Sequence, residues 1–144
     1  LLKKPSLYIS AFFEKNRASY YDALSRVRTS NDLAHWLRFF LNGISETAQN
    51  GVATFQKILQ LRQDIDAKLM GLGRRVGNGR RLANALFRNP VMSVNQAAAE
   101  LDVSHQTANS LVRAFEHLEL VREITGYQRN RLYVFAPYLE LFRE

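Results

Sequence analysis

The sequence predicts a mainly α-helical chain whose last part is two helices joined by a tight turn and followed by a β-hairpin. Three observations predict it: apolar residues at helical spacing through the first half, two short amphipathic stretches either side of Asp102-Val103-Ser104, and two β-prone runs flanking a loop with Gly126 and Asn130.

In order, residues 6–28 are expected to form a helix opening on Ser6 after Pro5. Leu7, Ile9, Phe12, Phe13, Tyr20, Ala23, Leu24 and Val27 recur near helical spacing there, with an irregularity around Asn16. Thr29-Ser30-Asn31-Asp32 suits a turn and a helix N-cap. Leu33, Trp36, Leu37, Phe40, Leu41 and Ile44 then mark a second helix to about Gln49. Asn50-Gly51 is expected to break it, and a third helix from Val52 to Leu72 presents Phe55, Ile58, Leu59, Leu61, Ile65, Leu69 and Leu72. Four of the seven glycines fall between Gly71 and Gly79, which predicts a flexible connection dividing residues 1–73 from residues 74–144.

After it, Arg80 to Phe87 supports a helix with Leu82, Ala83, Leu86 and Phe87 inward, stopped by Asn89-Pro90. A short helix opens at Ser93 or Val94 with Ala97, Ala98 and Leu101 inward, and Ser104 is placed to N-cap the next helix. That spacing is a helix-turn-helix. In the helix from Ser104 to Leu118, one face is apolar (Ala108, Leu111, Val112, Phe115, Leu118), leaving His105, Gln106, Asn109, Ser110 and Arg113 on the others. Gln and Asn pair with adenine and Arg with guanine in a major groove, while Ser104, Thr107 and the helix's first amides suit phosphate. The runs 120–124 and 131–135 make a hairpin with Tyr127, Arg129 and Arg131 at its tip and base, positioned for phosphates or a minor groove. Helix, helix-turn-helix and basic hairpin together define a winged helix-turn-helix. The expected partner is duplex DNA; the alternative is a protein target or a second copy, since winged helices also serve as interaction platforms.

Composition sets outer limits. The chain has 144 residues, a formal net charge of +7 and no cysteine, so disulfides and thiolate zinc sites are excluded and a reducing cytoplasm is expected. His35, His105 and His117 lie far apart with no carboxylate at ligand spacing, so no metal site is expected. No stretch approaches the roughly 20 apolar residues of a membrane span, so no membrane partner is expected. The basic excess suits a polyanion but is spread along the chain. More telling is the local concentration Arg74, Arg75, Arg80, Arg81 and Arg88, with no acid among them, which suits a polyanion, the alternative being a solvated helix face. The opening Leu1-Leu2-Lys3-Lys4-Pro5 has neither an initiator methionine nor a signal segment, and reads as a cut within a longer protein.

Pro5-Ser6-Leu7-Tyr8-Ile9-Ser10, Phe13-Glu14-Lys15-Asn16-Arg17 and Tyr20-Tyr21 resemble the segment after the catalytic motif of Fic family proteins, and 123–131 through Tyr138-Leu139-Glu140-Leu141-Phe142 is similar to the winged helix attached to many bacterial members. Trp36 to Leu41 and Gly51 to Phe55 fit the helices between. The resemblance implies a parent protein adenylyltransferase that moves AMP from ATP, with Mg, to a target hydroxyl, using a histidine in a His-Pro-Phe motif followed by Gly-Asn-Gly-Arg. Gly77-Asn78-Gly79-Arg80 repeats the second part, but Leu72-Gly73-Arg74-Arg75-Val76 precedes it instead of the histidine, and it lies far downstream of the place the motif holds in the family. No catalytic residue carries over, and no cofactor is expected in this chain itself.

Overall fold

The computed structural model describes residues 8–142, and the expected helix start at Ser6, with the Pro5-Ser6-Leu7 part of the resemblance, lies outside them. The chain divides into two compact units, Leu1–Phe55 and Gln56–Glu144.

In the first unit, α1 (Ser10–Lys15) and α2 (Arg17–Ser30) are separated at Asn16, where the sequence signalled an irregularity. The Phe12 carbonyl accepts both the Asn16 backbone N–H and the Asn16 side-chain amide, each at 3.0 Å, so one residue caps the end of α1 twice. α2 ends on Asn31 in the left-handed region (φ 53°), which a short polar side chain tolerates. Asp32 then accepts from the His35 amide at 3.0 Å and starts α3 (Leu33–Leu69). Phe12, Phe13, Tyr20, Trp36, Phe39 and Phe40 pack ring against ring, with centroids 5.0–6.4 Å apart.

The expected break at Asn50-Gly51 does not occur: α3 is one helix of 37 residues. A helical glycine costs only about 1 kcal/mol and keeps its backbone hydrogen bonds, so without a proline the flanking turns carry the helix through.

The second unit gathers one core. Ile65 and Leu69 of α3 are buried with Leu82 and Leu86 of α4 (Val76–Arg88), Leu101 of α5 (Val94–Leu101), Leu111 and Phe115 of α6 (His105–His117), and Leu120, Tyr133 and Phe135. The glycine-rich stretch, expected as a flexible connection, is a 3-10 turn (Met70–Arg75) running into α4, which starts before Arg80. Gly79 is buried, and a Cβ there would lie 3.1 Å from Leu72 Cδ1 and 3.3 Å from Leu69 Cδ2.

The expected two-stranded hairpin is present as β2 (Arg122–Glu123) and β3 (Leu132–Val134), extended by Ile124 N–H donating to the Leu132 carbonyl at 3.0 Å. A third strand, β1 (Val91–Ser93), pairs antiparallel with the other edge of β3 (Val91 opposite Val134, Ser93 opposite Leu132), giving the order β1-β3-β2. Three residues are too few to show a period of two, so this strand left no trace in the pattern. A short α7 (Ala136–Glu140) follows and stacks Tyr138 on Phe135 at 5.7 Å. The architecture is mainly α with a winged helix-turn-helix. No helix among the described residues is long and apolar enough to cross a membrane.

Candidate nucleic-acid interface

The helix-turn-helix is held by local chemistry at each corner. Ser93 and Gln96 form a reciprocal capping box at the start of α5: the Ser93 hydroxyl accepts from the Gln96 amide at 3.2 Å, and the Ser93 amide donates to Gln96 Oε1 at 2.8 Å. Asp102, with φ 53°, ends α5 as Val103 N–H returns to the Ala98 carbonyl at 3.1 Å. Ser104 then caps α6, accepting from the Thr107 amide at 3.2 Å with the two hydroxyls 2.9 Å apart.

α6 buries Ala108, Leu111, Val112 and Phe115. With about 100° per residue, the outward side runs from His105 through Asn109, Arg113 and Gln106 to Ser110, at roughly 0°, 40°, 80°, 100° and 140° around the helix. Gln106 and Arg113 thus hold the middle of the exposed face.

His105, Asn109 and Arg113 line a groove of about 400 Å³ together with Gln128, Arg129, Asn130 and Arg131 of the wing, and with Ser93, Val94, Asn95 and Tyr133. Three arginines and no carboxylate line it, and among the described residues Arg113 and Arg129 have no ion-pair partner. Of the residues expected at a site, the structure therefore brings together His105, Asn109, Arg113, Arg129 and Arg131. Gln106 and Thr107 are exposed outside the groove, Ser104 is occupied as a cap, Ser110 accepts from Arg75 Nη1 at 3.2 Å, and Tyr127 projects from the wing, 65% exposed. Gln128, Asn130 and Asn95 were missed. The first two stand beside Arg129 and Arg131 in the wing, and Asn95 enters because the first turn of α5 faces the wing.

The wing loop is organised by one carboxylate. Glu123 Oε1 accepts from the Thr125 hydroxyl and, at 2.8 and 2.9 Å, from the Thr125 and Gly126 amides, while Thr125 Oγ1 accepts from the Leu132 amide at 3.3 Å. These bonds, the Thr125 hydroxyl's first, and the Arg131 charge hold the Glu123 carboxyl below its ordinary range against the opposing effect of burial. Gly126 (φ 66°) and Asn130 (φ 53°) take the left-handed positions of the turn, and Arg131 Nε donates to the Tyr127 carbonyl at 2.7 Å.

The arginine-rich stretch splits by partner. Arg80 makes a double hydrogen bond to Asp66 (2.6 and 2.9 Å), which lowers the Asp66 pKa and raises that of Arg80, and Arg88 pairs with Glu100. No carboxylate among the described residues pairs with Arg74, Arg75 or Arg81. Gly77-Asn78-Gly79-Arg80 lies within α4, with Gly79 packed on leucines and Arg80 engaged by Asp66, so these residues do not fit a phosphate cradle for ATP. No group of three or more metal-ligating side chains occurs among the described residues.

Residues 80–133 match the family described as HTH DNA binding domain, a span from within α4 to within β3. Comparison with curated proteins finds no match.

Proposed function

We propose that this chain binds duplex DNA, with α6 in the major groove and the wing on the flanking backbone or in the adjacent minor groove. The observation that carries the reading is the groove in which the helix and wing bring Asn109, Arg113, Arg129 and Arg131 onto one acid-free concave surface. Arg113 and Gln106, at the middle of the outward face, suit guanine and adenine edges, Asn109 suits adenine, and the wing arginines suit phosphate or a narrow minor groove. The match of residues 80–133 to a DNA-binding helix-turn-helix family supports the same partner. The test is selection from a random-site duplex library followed by fluorescence titration at several salt concentrations. Gln106→Ala and Asn109→Ala are expected to relax base preference, and Arg129→Ala to weaken all sequences alike. No enrichment, with no duplex binding at low salt, would end this reading.

The resemblance of the helical part to Fic proteins supports a finer placement, as the C-terminal region of a protein adenylyltransferase whose AMP transfer would depend on ATP and Mg held by residues outside this chain. Its test is labelled ATP with candidate proteins. Transfer by this chain alone, lost on changing Asn78, would overturn it.

A second reading is that the chain serves as an interaction module. It is favoured by the first unit's part of α3, where Leu33, Leu37, Leu41, Val52 and Phe55 are 46–61% exposed. A protein target or a second copy would cover them. Light scattering that shows a monomer at high concentration would remove self-association.

A further inference from the structure

Arg75 lies outside the matched helix-turn-helix segment, yet its guanidinium donates to Ser110 Oγ at 3.2 Å, on the outward side of α6. Ser110 is on the flank of that side opposite His105 and Asn109, the residues that face the wing. The exposed face of α6 is therefore bounded by arginines on both sides, from the wing on one and from the segment before α4 on the other. Arg75 has no carboxylate partner among the described residues, whereas Arg80 and Arg88, in the same arginine-rich stretch, are paired with Asp66 and Glu100.

A glycine turn precedes Arg75. Gly73 has φ 57° and ψ −125°, a conformation open in practice only to glycine, and it interrupts the 3-10 turn two residues before Arg75. One guanidinium donor is held by Ser110, and four of an arginine's five N–H groups remain for another acceptor. A helix with its side chains is about as wide as the major groove, roughly 12 Å, so groups on both flanks of α6 lie where the two sugar-phosphate walls would run.

We infer that Arg75 is a second phosphate-contacting arm: docked on Ser110 and positioned by the Gly73 turn, it grips the DNA strand across the major groove from the one the wing engages. This rests on the DNA-binding reading above. Ser110, on the outward side of α6, is then a positioning residue whose hydroxyl holds the arm in place.

The test is titration of the full chain against a library-selected duplex and an unrelated duplex of equal length, over a range of salt. Arg75→Ala should weaken both about tenfold near 0.1 M salt and reduce the slope of log K against log salt by about one unit. Arg75→Lys should restore the slope, because the charge returns. Arg88→Ala removes the same charge from a paired arginine and should leave the slope unchanged. Gly73→Ala keeps every charge but displaces the arm, and should weaken both duplexes several-fold. If wild type binds and Arg75→Ala matches Arg88→Ala in affinity and slope, the arm is refuted while DNA binding stands. If wild type binds neither duplex at low salt, the DNA reading itself fails.

Discussion

Two glycines of α3 offer a direct measurement of how tightly the first unit is packed and of whether that helix is continuous. At Gly43, a Cβ would stand 2.6 Å from Cδ1 and Cε1 of Phe12, against the roughly 3.5–4.0 Å of ordinary carbon contact. Phe12 is buried, with its ring 5.4 Å from Phe39 and 6.1 Å from Phe13, so it has to retreat by about 1 Å into neighbours already in contact. Overpacking of this kind costs about 1–3 kcal/mol, while replacing a helical glycine by alanine returns about 1 kcal/mol. Gly43→Ala should therefore lose about 1 kcal/mol net. At Gly51 nothing lies within 4 Å of the added carbon, so Gly51→Ala should gain about 1 kcal/mol. Trp36, the single tryptophan, sits in the aromatic cluster of the first unit and reports its unfolding by fluorescence. With a urea m-value of about 1 kcal/mol/M for so small a unit, the midpoint should fall by about 1 M for Gly43→Ala and rise by about 1 M for Gly51→Ala. Phe12→Leu on the Gly43→Ala background should recover part of the loss as a coupling of about 1 kcal/mol. A Gly43→Ala variant as stable as Gly51→Ala would refute the close approach, and a Gly51→Ala variant that lost stability would refute a helix running through Asn50.

Three further outcomes follow from the second unit. Because the folded-state pKa of Glu123 is depressed, its contribution to the wing is complete above the ordinary value of 4.5 and is lost as pH falls through the lower folded value; the Thr125 and Gly126 amide resonances should hold constant from pH 7 to 5 and move only below that, and movement near pH 6 would contradict it. Ser93→Ala removes one half of the capping box on α5 and should cost about 1 kcal/mol in chemical denaturation followed by circular dichroism, an unchanged midpoint counting against the box. Leu101→Ala empties a fully buried site at the corner between α5 and α6 and should cost about 2–5 kcal/mol, with duplex affinity falling as the corner loosens; a loss below 1 kcal/mol would mean that the corner is not packed as described.

Much of the winged helix could be read from residue order, because its signals are local. Ser104 caps the helix it was placed before, α5 opens at Val94 with Ser93 as its cap, Asp102 takes the left-handed turn between them, and Gly126 and Asn130 mark the loop of the hairpin. Each depends on a side chain meeting its own backbone within a few residues, so sequence proximity and spatial proximity coincide. The same holds for the outward residues of α6, which helical periodicity alone assigns. Gly51 misled because a strong local preference for turns was outweighed by the helix around it.

By itself, then, the sequence determined the two helices of the helix-turn-helix, the turn between them and the basic wing, together with the types of side chain offered to a partner. Only the tertiary structure decided which of those side chains share a surface. It joined β1 to a strand forty residues away, set Arg113 across a groove from Arg129 and Arg131, paired Arg80 and Arg88 with Asp66 and Glu100, and laid Arg75 against Ser110. The physical reason is that periodicity and capping act within a few residues, whereas pairing of charges and opposition of faces depend on how apolar sides bury one another, which no single segment carries.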